Sequence, residues 1–347
     1  MKNLKYLAAL SIPITVIIGL SFKGWWSFFT PIYSFAFIPL LELILPQDNA
    51  NFSEKEKESK QLNKLFDWML YINVPIVYGV FVFSLFEITT TSLFPYELFG
   101  LSVSVGMMLG TNGINVGHEL GHRQTSSERF LGKLLLLPSL YMHFYIEHNF
   151  GHHKHAATKE DPATARYNQS VYSFWFSSIF RQYKSAWSIQ LGLLKKYDQP
   201  FLSFKIDRFW YLMLQLGYLT TVYVFFGYIV LLFAITSAIS GILLLETVNY
   251  IDHYGLLRKK NDSGRYERVK EVHSWKSNHV VGRIILYELT RHSDHHYKAS
   301  KKYQVLECYK ESPQLPFGYP TSMVIALIPP LWFSIMNKRV PKEMVSL

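Results

Sequence analysis

Long apolar stretches almost free of charge alternate with charged segments along this chain of 347 residues. Tyr6–Phe22, Trp68–Phe86 and Leu98–Gly117 carry no charged residue, and Trp25–Pro46 carries only Glu42. Each approaches the roughly 20 residues that a helix needs to cross a bilayer. Phe209–Leu245 is about twice that length, and Gly227 near its middle predicts a helical hairpin. The pattern therefore predicts an all-α, polytopic membrane protein with six transmembrane helices, at about 6–22, 25–46, 68–86, 98–117, 209–226 and 228–250.

The positions of the basic residues predict the orientation of these helices. With the N-terminus in the cytoplasm, the outward loops fall near 23–27, 87–97 and 227, and Lys23 is the only one of the 35 Lys and Arg residues in them. Cytoplasmic loops carry the excess of basic residues in membrane proteins. We therefore predict a protein of the cytoplasmic membrane with both termini inside. Residues 118–208 and 251–347 would form a cytoplasmic cap, and the whole chain, 1–347, a single membrane-embedded domain.

Three further segments are predicted not to cross the membrane. Leu131–Ile146 contains Lys133, Pro138 and His143, so it is expected to be a helix that dips against the bundle from the cytoplasmic side. Phe317–Met336 contains three prolines and is followed by basic residues, which favours a position along the interface. The charged segment 47–66 is expected to be a solvated loop.

Charge and cysteine content limit the possible partners. The formal net charge of +10 is explained by basic cytoplasmic segments on an anionic membrane surface, so no nucleic acid partner is expected. Cys308 is the only cysteine, and the chain can form neither a disulfide nor a four-cysteine iron centre by itself. Any electrons that the protein uses must come from an external carrier.

The sequence His118-Glu119-Leu120-Gly121-His122 matches the H-E-x-x-H pattern of zinc metalloproteases. Such a protease needs three protein ligands to one zinc ion and an open position. Nine of the 13 histidines, however, stand in four tight groups: His118 and His122; His148, His152 and His153; His253; and His292, His295 and His296. A single zinc site would leave about six of these without a role.

The spacing of the nine histidines suits two metal ions. The pairs 118/122, 148/152 and 292/296 are one helical turn apart, and the doublets 152/153 and 295/296 let one turn face two neighbouring metals. Every group adjoins an apolar stretch, so all four are expected to meet at the cytoplasmic mouth of the bundle. Imidazole-rich sites on paired metals favour iron and oxygen chemistry over magnesium or calcium, which prefer oxygen ligands.

The strings HELGH, HNFGHH and HSDHH resemble the HxxxH, HxxxHH and HxxHH boxes of the integral-membrane non-haem diiron fatty acid desaturases and hydroxylases. The longer strings EHNFGHHKHAATKEDPATAR, NYIDHYGLLR and RHSDHH look like one branch, the alkane 1-monooxygenases. The similarity extends from about IPLLELILPQDN to about IPPLW. The chain departs from the family pattern at Asp252, Thr290 and Ala299, none of which removes a histidine.

The resemblance implies that two non-haem irons are held by His118, His122, His148, His152, His153, His253, His292, His295 and His296. Four carboxylates that neighbour these ligands in sequence could orient imidazole N–H groups: Glu119, Glu147, Asp252 and Asp294. The alternative for each of them is a solvated or salt-bridged carboxylate. His143, His155, His273 and His279 need no metal to explain them.

The resemblance also implies the reaction and the partners. An alkane 1-monooxygenase inserts one oxygen atom of O₂ into the terminal C–H bond of an n-alkane drawn from the membrane lipids. Its electrons come from rubredoxin, a small acidic iron protein that is reduced by rubredoxin reductase. The basic stretch from Arg258 to Lys270, with Lys298, Lys301 and Lys302, could receive such a partner, although a solvated charge run explains it equally well.

Three other functions remain open at this point. The nearest is a lipid desaturase or a hydroxylase of fatty-acyl or xylene-type substrates, because the three boxes are shared across the superfamily. A more distant alternative is an intramembrane zinc metalloprotease, which would survive loss of His292, His295 and His296. A metal transporter or sensor would place its ligands near the membrane midplane instead of at one edge.

Overall fold

The computed structural model describes residues 2–201 and 206–345, and within these it contains helices and no β-strand. The predicted all-α class is therefore confirmed for the described part of the chain. Residues 1, 202–205 and 346–347, which include both predicted cytoplasmic termini, lie outside it. The chain forms two compact units. The first comprises Met1–Ala36, Leu65–Glu147 and Tyr183–Leu245, and the second Phe37–Lys64, His148–Gln182 and Glu246–Leu347. That the chain acts as one domain stays a prediction.

Among the described residues, four helical runs are long and apolar enough to cross a membrane: Asn3–Phe22, Gly24–Ile44, Leu65–Thr90 and Asp207–His253. The last has 47 residues and is interrupted at Gly227, whose φ of 83° is outside the helical range. The predicted break at Gly227 is thereby confirmed. These runs make the chain a multi-pass membrane protein, while the count of six spans stays a prediction.

The predicted span 98–117 is helical but less apolar than the other four. It is formed by Pro95–Met108, a π-helical turn at Leu109–Ile114, and Asn115–Gly121. Asn112 lies buried in this run, and its side-chain amide donates to the Asn73 Oδ1 atom at 2.9 Å. Buried amides that bond across helices are stabilising in an apolar environment but lower the hydropathy of the segment.

Contacts within the first unit bring the predicted outward loops together. The Lys23 ammonium lies 3.1 Å from the Glu87 carboxylate, and the Gly24 N–H donates to the Glu97 Oε1 atom at 2.6 Å. The rings of Phe86 and Phe226 meet at a centroid distance of 5.2 Å. The three predicted outward loops therefore lie at one end of this unit. Which side of the membrane that end faces stays a prediction.

Helix packing in the first unit depends on glycine at position 106. A Cβ atom at Gly106 would lie 2.4 Å from the Ser240 Cβ atom and 2.6 Å from the Ser237 carbonyl oxygen. Small residues allow this close approach of helix backbones in membrane proteins. Gly106, Ser237 and Ser240 are therefore the small residues at which two helices pack closely.

We expect Gly106→Ala to destabilise the protein by about 1–3 kcal/mol, because the new methyl group overpacks a backbone contact that cannot relax easily. Thermal unfolding of the purified protein in detergent measures the change. Gly79→Ala is the matched control, since a Cβ atom at Gly79 meets nothing within 4 Å. Equal melting temperatures for the two variants would contradict this account of the packing.

Three segments differ from their predicted structure or refine it. The predicted dipping helix 131–146 is wrong as a single element: Ser126–Leu136 ends before Pro138, the chain turns through Leu140 with a φ of 53°, and His143–Glu147 begins a new helix. Proline at position 138 cannot supply the N–H that would continue the helix.

Phe317–Met336 forms two helices of eight residues, Tyr319–Ala326 and Pro329–Met336, and each is too short to cross a bilayer.

The segment 47–66 was predicted to be a solvated loop, but it contains the helix Glu54–Leu62. Ser53 and Glu56 form a capping box, in which the Glu56 N–H donates to the Ser53 Oγ atom and the Ser53 N–H donates to the Glu56 carboxylate. This local signal outweighed the high charge of the segment. In the second unit, the candidate ligands lie in His148–His152, His153–His155, His292–Tyr297 and at the end of Asp207–His253.

Candidate metal centre

The first unit carries two of the nine candidate ligands, His118 and His122. His118 lies in the helix Asn115–Gly121 and His122 directly follows it, and their rings stand edge to face at a centroid distance of 4.8 Å. The helix approaches the helix Ser126–Leu136 closely, because a Cβ atom at Gly117 would lie 2.9 Å from the Gly132 carbonyl oxygen. The HxxxH spacing thus presents both imidazoles from one rigid turn.

The second unit brings four histidines from three separate segments into one buried group: His152, His253, His292 and His296. Their side chains are almost completely buried, with exposed fractions of 6% or less. Nε2 of His296 lies 2.9 Å from Nε2 of His292 and 3.1 Å from Nε2 of His152, while Nε2 atoms of His292 and His253 are 3.3 Å apart. We call these residues the four-histidine group.

Three more histidines of the same unit form a second cluster, His148, His153 and His295. The Nε2 atom of His153 lies 3.0 Å from that of His148 and 3.2 Å from that of His295. The rings of His148 and His295 are stacked at a centroid distance of 6.2 Å. We call these residues the three-histidine group.

Local backbone structure explains why sequence neighbours fall into different groups. Within the helix His292–Tyr297, His292 and His296 are one turn apart and share a face, while His295 is directed toward the three-histidine group. Along the chain, His148–His152 is a π-helical turn, and His152 and His153 separate at its end. Two adjacent imidazoles on one turn therefore contribute to different clusters.

The four-histidine group has the donor chemistry of a metal site. Imidazole nitrogens bind transition metals at about 2.0–2.1 Å, so that adjacent ligands around one ion lie about 3 Å apart. The observed Nε2 separations of 2.9 to 3.3 Å match this spacing. Burial, and then the nearby His292 and His152 rings, hold the pKa of His296 well below its usual range. A neutral imidazole is the form that binds a metal.

A carboxylate that sequence reasoning missed orients one of these imidazoles. Asp161 is buried, and both of its carboxylate oxygens lie 3.0 to 3.1 Å from the Nδ1 atom of His152. Burial raises the pKa of Asp161, but the neighbouring His152 and a hydrogen bond from Thr164 outweigh burial and hold it below its usual range. An ionised acceptor at Nδ1 leaves the Nε2 lone pair free for a metal.

The four carboxylates that the sequence proposed as acceptors have different surroundings. Asp252 is fully buried, with Oδ2 at 3.8 Å from the His292 Nε2 atom. Asp294 accepts hydrogen bonds from the Lys301 ammonium and the Glu307 N–H, which is the salt-bridged alternative. In the first unit, Glu119 pairs with Arg123 at 3.0 Å, and Glu147 accepts from the Ser185 hydroxyl at 3.2 Å.

The four remaining histidines, His143, His155, His273 and His279, belong to neither of these groups. His273 accepts from the Lys270 N–H, and His279 contacts the Ser277 hydroxyl at 2.9 Å. His143 packs between Tyr141 and Tyr183 in the first unit. These contacts give His143, His273 and His279 surroundings that need no metal, as the sequence analysis expected.

A helical chain with membrane-length helices and buried groups of converging imidazoles defines a class, the histidine-ligated membrane metalloproteins. Comparison with known proteins narrows this class. The model of the fatty acid desaturase family matches residues 92–322. An alkane 1-monooxygenase of Alcanivorax borkumensis is 36% identical over 350 residues, which cover 98% of this chain and 91% of the relative.

Other curated proteins agree with this assignment. An alkane 1-monooxygenase of Pseudomonas aeruginosa is 36% identical over 91% of this chain and 84% of its own length. The hydroxylase component of a xylene/toluene monooxygenase from Pseudomonas putida is 27% identical over 97% of this chain and 89% of its own length. The chain therefore belongs to the fatty acid desaturase family, and within it to the alkane hydroxylase branch. Together with the imidazole donors, membership indicates a non-haem iron oxidoreductase.

Proposed function

We propose that this protein is a membrane-bound non-haem diiron monooxygenase that hydroxylates the terminal methyl group of n-alkanes. The observation that carries the proposal is the pair of imidazole groups in a chain that is 36% identical to alkane 1-monooxygenases over almost its whole length. The balanced reaction converts an alkane, O₂, two electrons and two protons into a 1-alkanol and water. When bound, the two irons would supply the centre that activates O₂ for this reaction.

We assign the ligands in two sets. The four-histidine group, His152, His253, His292 and His296, would hold one iron, and the three-histidine group would belong to the other. His118 and His122 complete the second set in this proposal, and the support for these two comes from the sequence, because they form the first histidine box of the family pattern. Nitrogen-only donors favour iron, zinc or copper over magnesium and calcium, and family membership favours iron.

The residues around the irons would exclude water from the site and orient the histidine ligands. The four-histidine group is buried, and a site closed to water strengthens electrostatic interactions and protects the reacting centre from side reactions. Asp161 would accept a hydrogen bond from the Nδ1–H group of His152 and so keep Nε2 directed at the ion. The apolar spans would deliver the alkane from the membrane lipids, where it dissolves, with only its terminal carbon reaching the irons.

The decisive experiment combines product analysis with metal analysis of the purified protein. We expect iron in excess of zinc, and O₂- and reductant-dependent formation of 1-alkanols from octane through hexadecane. An alkene product would favour the desaturase alternative, and about one zinc per chain with proteolysis would favour the metalloprotease.

A second candidate is hydroxylation of aromatic methyl groups, since a xylene/toluene monooxygenase component is 27% identical to this chain. Xylene is therefore included as a substrate.

We further propose that rubredoxin, reduced by its reductase, supplies the electrons. The single cysteine supports an external donor. The internal contacts of the basic residues indicate which of them could bind a partner. Lys301 is held by Asp294 and Glu307, and Arg258 donates to the Lys154 and Glu267 carbonyl groups. Lys259 and Lys260 are exposed beside a cleft that also contains Lys159, so they remain available for an acidic partner.

Reversing the charge of these two lysines tests the docking surface. We expect Lys259→Glu combined with Lys260→Glu to reduce rubredoxin-coupled turnover about tenfold or more at low salt, because electrostatic steering accelerates association. Turnover with a small chemical reductant should be retained. Lys338→Glu is the matched control at another exposed lysine. Unchanged turnover with rubredoxin in the double variant would remove these lysines from the proposed interface.

We propose a cytoplasmic-membrane location with six spans, both termini inside and the metal centre on the cytoplasmic side. The asymmetry of Lys and Arg supports this orientation. Reporter fusions after residues 92, 227 and 347 test it. Alkaline phosphatase is expected to be active after the first two positions, and a fluorescent protein after the last.

A further inference from the structure

A cleft in the first unit contains a buried arginine that no carboxylate neutralises. It lies between the helix His143–Glu147, the stretch 183–187 of the helix Val171–Lys196, and the start of the helix Asp207–His253. Arg208, His143, Trp187, Tyr183, Tyr211 and Gln215 line it. None of the lining residues is acidic, so the cleft has no internal counter-ion for its guanidinium group. We call it the Arg208 cleft.

The guanidinium of Arg208 is buried but incompletely hydrogen-bonded. The residue is 7% exposed, and its carbon Cζ lies 3.7 Å from the centre of the Trp187 ring and 4.7 Å from that of Phe201. Nη2 donates to the Phe201 carbonyl oxygen at 3.2 Å, whereas Nη1 has no hydrogen-bond partner among the described residues. The adjacent carboxylate of Asp207 is bound to Lys133 at 2.7 Å instead. A buried cation without a partner is costly, and an anion in the cleft would relieve this cost.

A second buried polar group in the same cleft lacks a partner. His143 is held between Tyr141 and Tyr183 at ring-centroid distances of 4.5 and 5.1 Å, and its Nε2 atom has no hydrogen bond. Burial lowers the pKa of His143 to about 4, so the ring is neutral at pH 7 and can donate from Nε2 as one tautomer. Two residues that line the cleft therefore each hold a buried donor without a hydrogen-bond partner, and one of these donors is charged.

The surroundings of the cleft are those of a membrane–water boundary. Tyr197, Phe201 and Trp210 are exposed by 63%, 58% and 50%, although they are large aromatic residues. Tyr and Trp accumulate at the headgroup level of bilayers. Lys195 and Lys196 add two exposed positive charges at the end of the same helix. An anion that is abundant at this depth is the phosphate group of an anionic phospholipid.

We propose that the Arg208 cleft binds the phosphate group of an anionic phospholipid, with Arg208 as the main donor and His143 as the second. The aromatic rings of Trp187 and Phe201 hold the guanidinium in place, so that little conformational entropy is lost on binding. The site is independent of the iron ligands. Its failure would therefore leave the proposed oxygenase function untouched.

Lipid binding to the purified full-length protein tests the proposal. Native mass spectrometry and thermal unfolding in detergent are measured with added dioleoylphosphatidylglycerol, dioleoylphosphatidylcholine, sodium oleate or inorganic phosphate. We expect phosphatidylglycerol to be retained and to raise the melting temperature. Loss of a hydrogen bond to a charged group predicts at least about tenfold weaker binding in Arg208→Gln and a smaller loss in His143→Gln. Lys55→Gln removes an exposed charge on the helix Glu54–Leu62, outside the cleft and its surroundings, and should change binding by less than about twofold.

Several outcomes would overturn the proposal. Equal retention of phosphatidylglycerol by the wild type and Arg208→Gln would remove the cleft as the site. A loss in Lys55→Gln equal to that in Arg208→Gln would do the same. Displacement of the lipid by excess inorganic phosphate would assign the cleft to free phosphate, and preferential binding of oleate would assign it to a carboxylate. If Arg208→Gln does not fold, Arg208→Lys keeps the charge but not the planar fork. Unchanged binding in that variant and in His143→Gln would reject the proposal.

Discussion

Replacing His296 or His153 with alanine is expected to abolish alkane hydroxylation, with a loss of at least about 100-fold in turnover, since ligand removal should exceed the 10–100-fold effect of changing a supporting residue. The two residues belong to different groups, His296 to the four-histidine group and His153 to the three-histidine group. If each group serves its own ion, each variant should retain about one iron per chain where the wild type holds about two. Iron and zinc are measured by elemental analysis, and 1-alkanol by chromatography.

The matched control for these variants is His279→Ala. His279 contacts the Ser277 hydroxyl and the Gln47 side chain, and it lies outside both groups. Its removal should leave iron content and turnover within about twofold of the wild type, as for most substitutions away from a site. If His296→Ala keeps its full iron content, or if His279→Ala loses iron to the same extent, the assignment of ligands to the groups is wrong.

Asp161→Asn is the second substitution with a large expected effect. Removing a carboxylate that supports a metal-bound histidine typically costs about 10–100-fold in metal affinity or activity. We expect iron affinity to fall within this range in Asp161→Asn. The physical reason is the loss of the charged acceptor at Nδ1 of His152, at 3.0 Å. The rate at which a chelator removes iron reports this loss directly. A purely structural role would instead lower the melting temperature and leave the rate for the remaining folded protein unchanged.

Two further variants separate these explanations. Asp161→Glu keeps the charge and should recover part of the iron affinity. Glu160→Gln changes a neighbouring carboxylate that is exposed to solvent, and it should behave like the wild type. A chelation rate for Asp161→Asn that equals that of Glu160→Gln would show that Asp161 does not support the ion.

Much of the candidate site could be predicted from local spacing. Residues one helical turn apart share a face, so the pairs His118/His122 and His292/His296 were recognisable from the sequence alone. The doublets His152/His153 and His295/His296 also indicated two neighbouring clusters. The separation of His152 from His153 depends on a π-helical turn at His148–His152, which no composition rule predicts.

The supporting residues were much harder to predict, because hydrogen-bond partners are chosen by distance in space. Asp161 was not predicted as an acceptor, although it lies in the string EHNFGHHKHAATKEDPATAR, which contains the second histidine box. Its connection to His152 runs through an irregular turn in which Ala163 and Thr164 also donate to its carboxylate. Asp294, by contrast, adjoins a candidate ligand in sequence but is bound to Lys301 and Glu307. Proximity in sequence therefore gave a wrong prediction for Asp294. It gave no prediction for Asp161, which does not adjoin a candidate ligand.

The amino-acid sequence by itself determined the class of protein, because long uncharged stretches and repeated histidine spacing follow from periodic backbone geometry that needs no tertiary contact. It also determined the break at Gly227, where only glycine adopts the observed backbone easily. Tertiary structure alone decided which histidines converge, which carboxylate supports His152, and that Arg208 is buried without an acidic partner. The convergence of the histidines depends on segments far apart in the chain, whose side chains meet only after the helices have packed. The contact between Asp161 and His152 joins residues only nine positions apart, but it depends on an irregular turn that spacing rules do not predict.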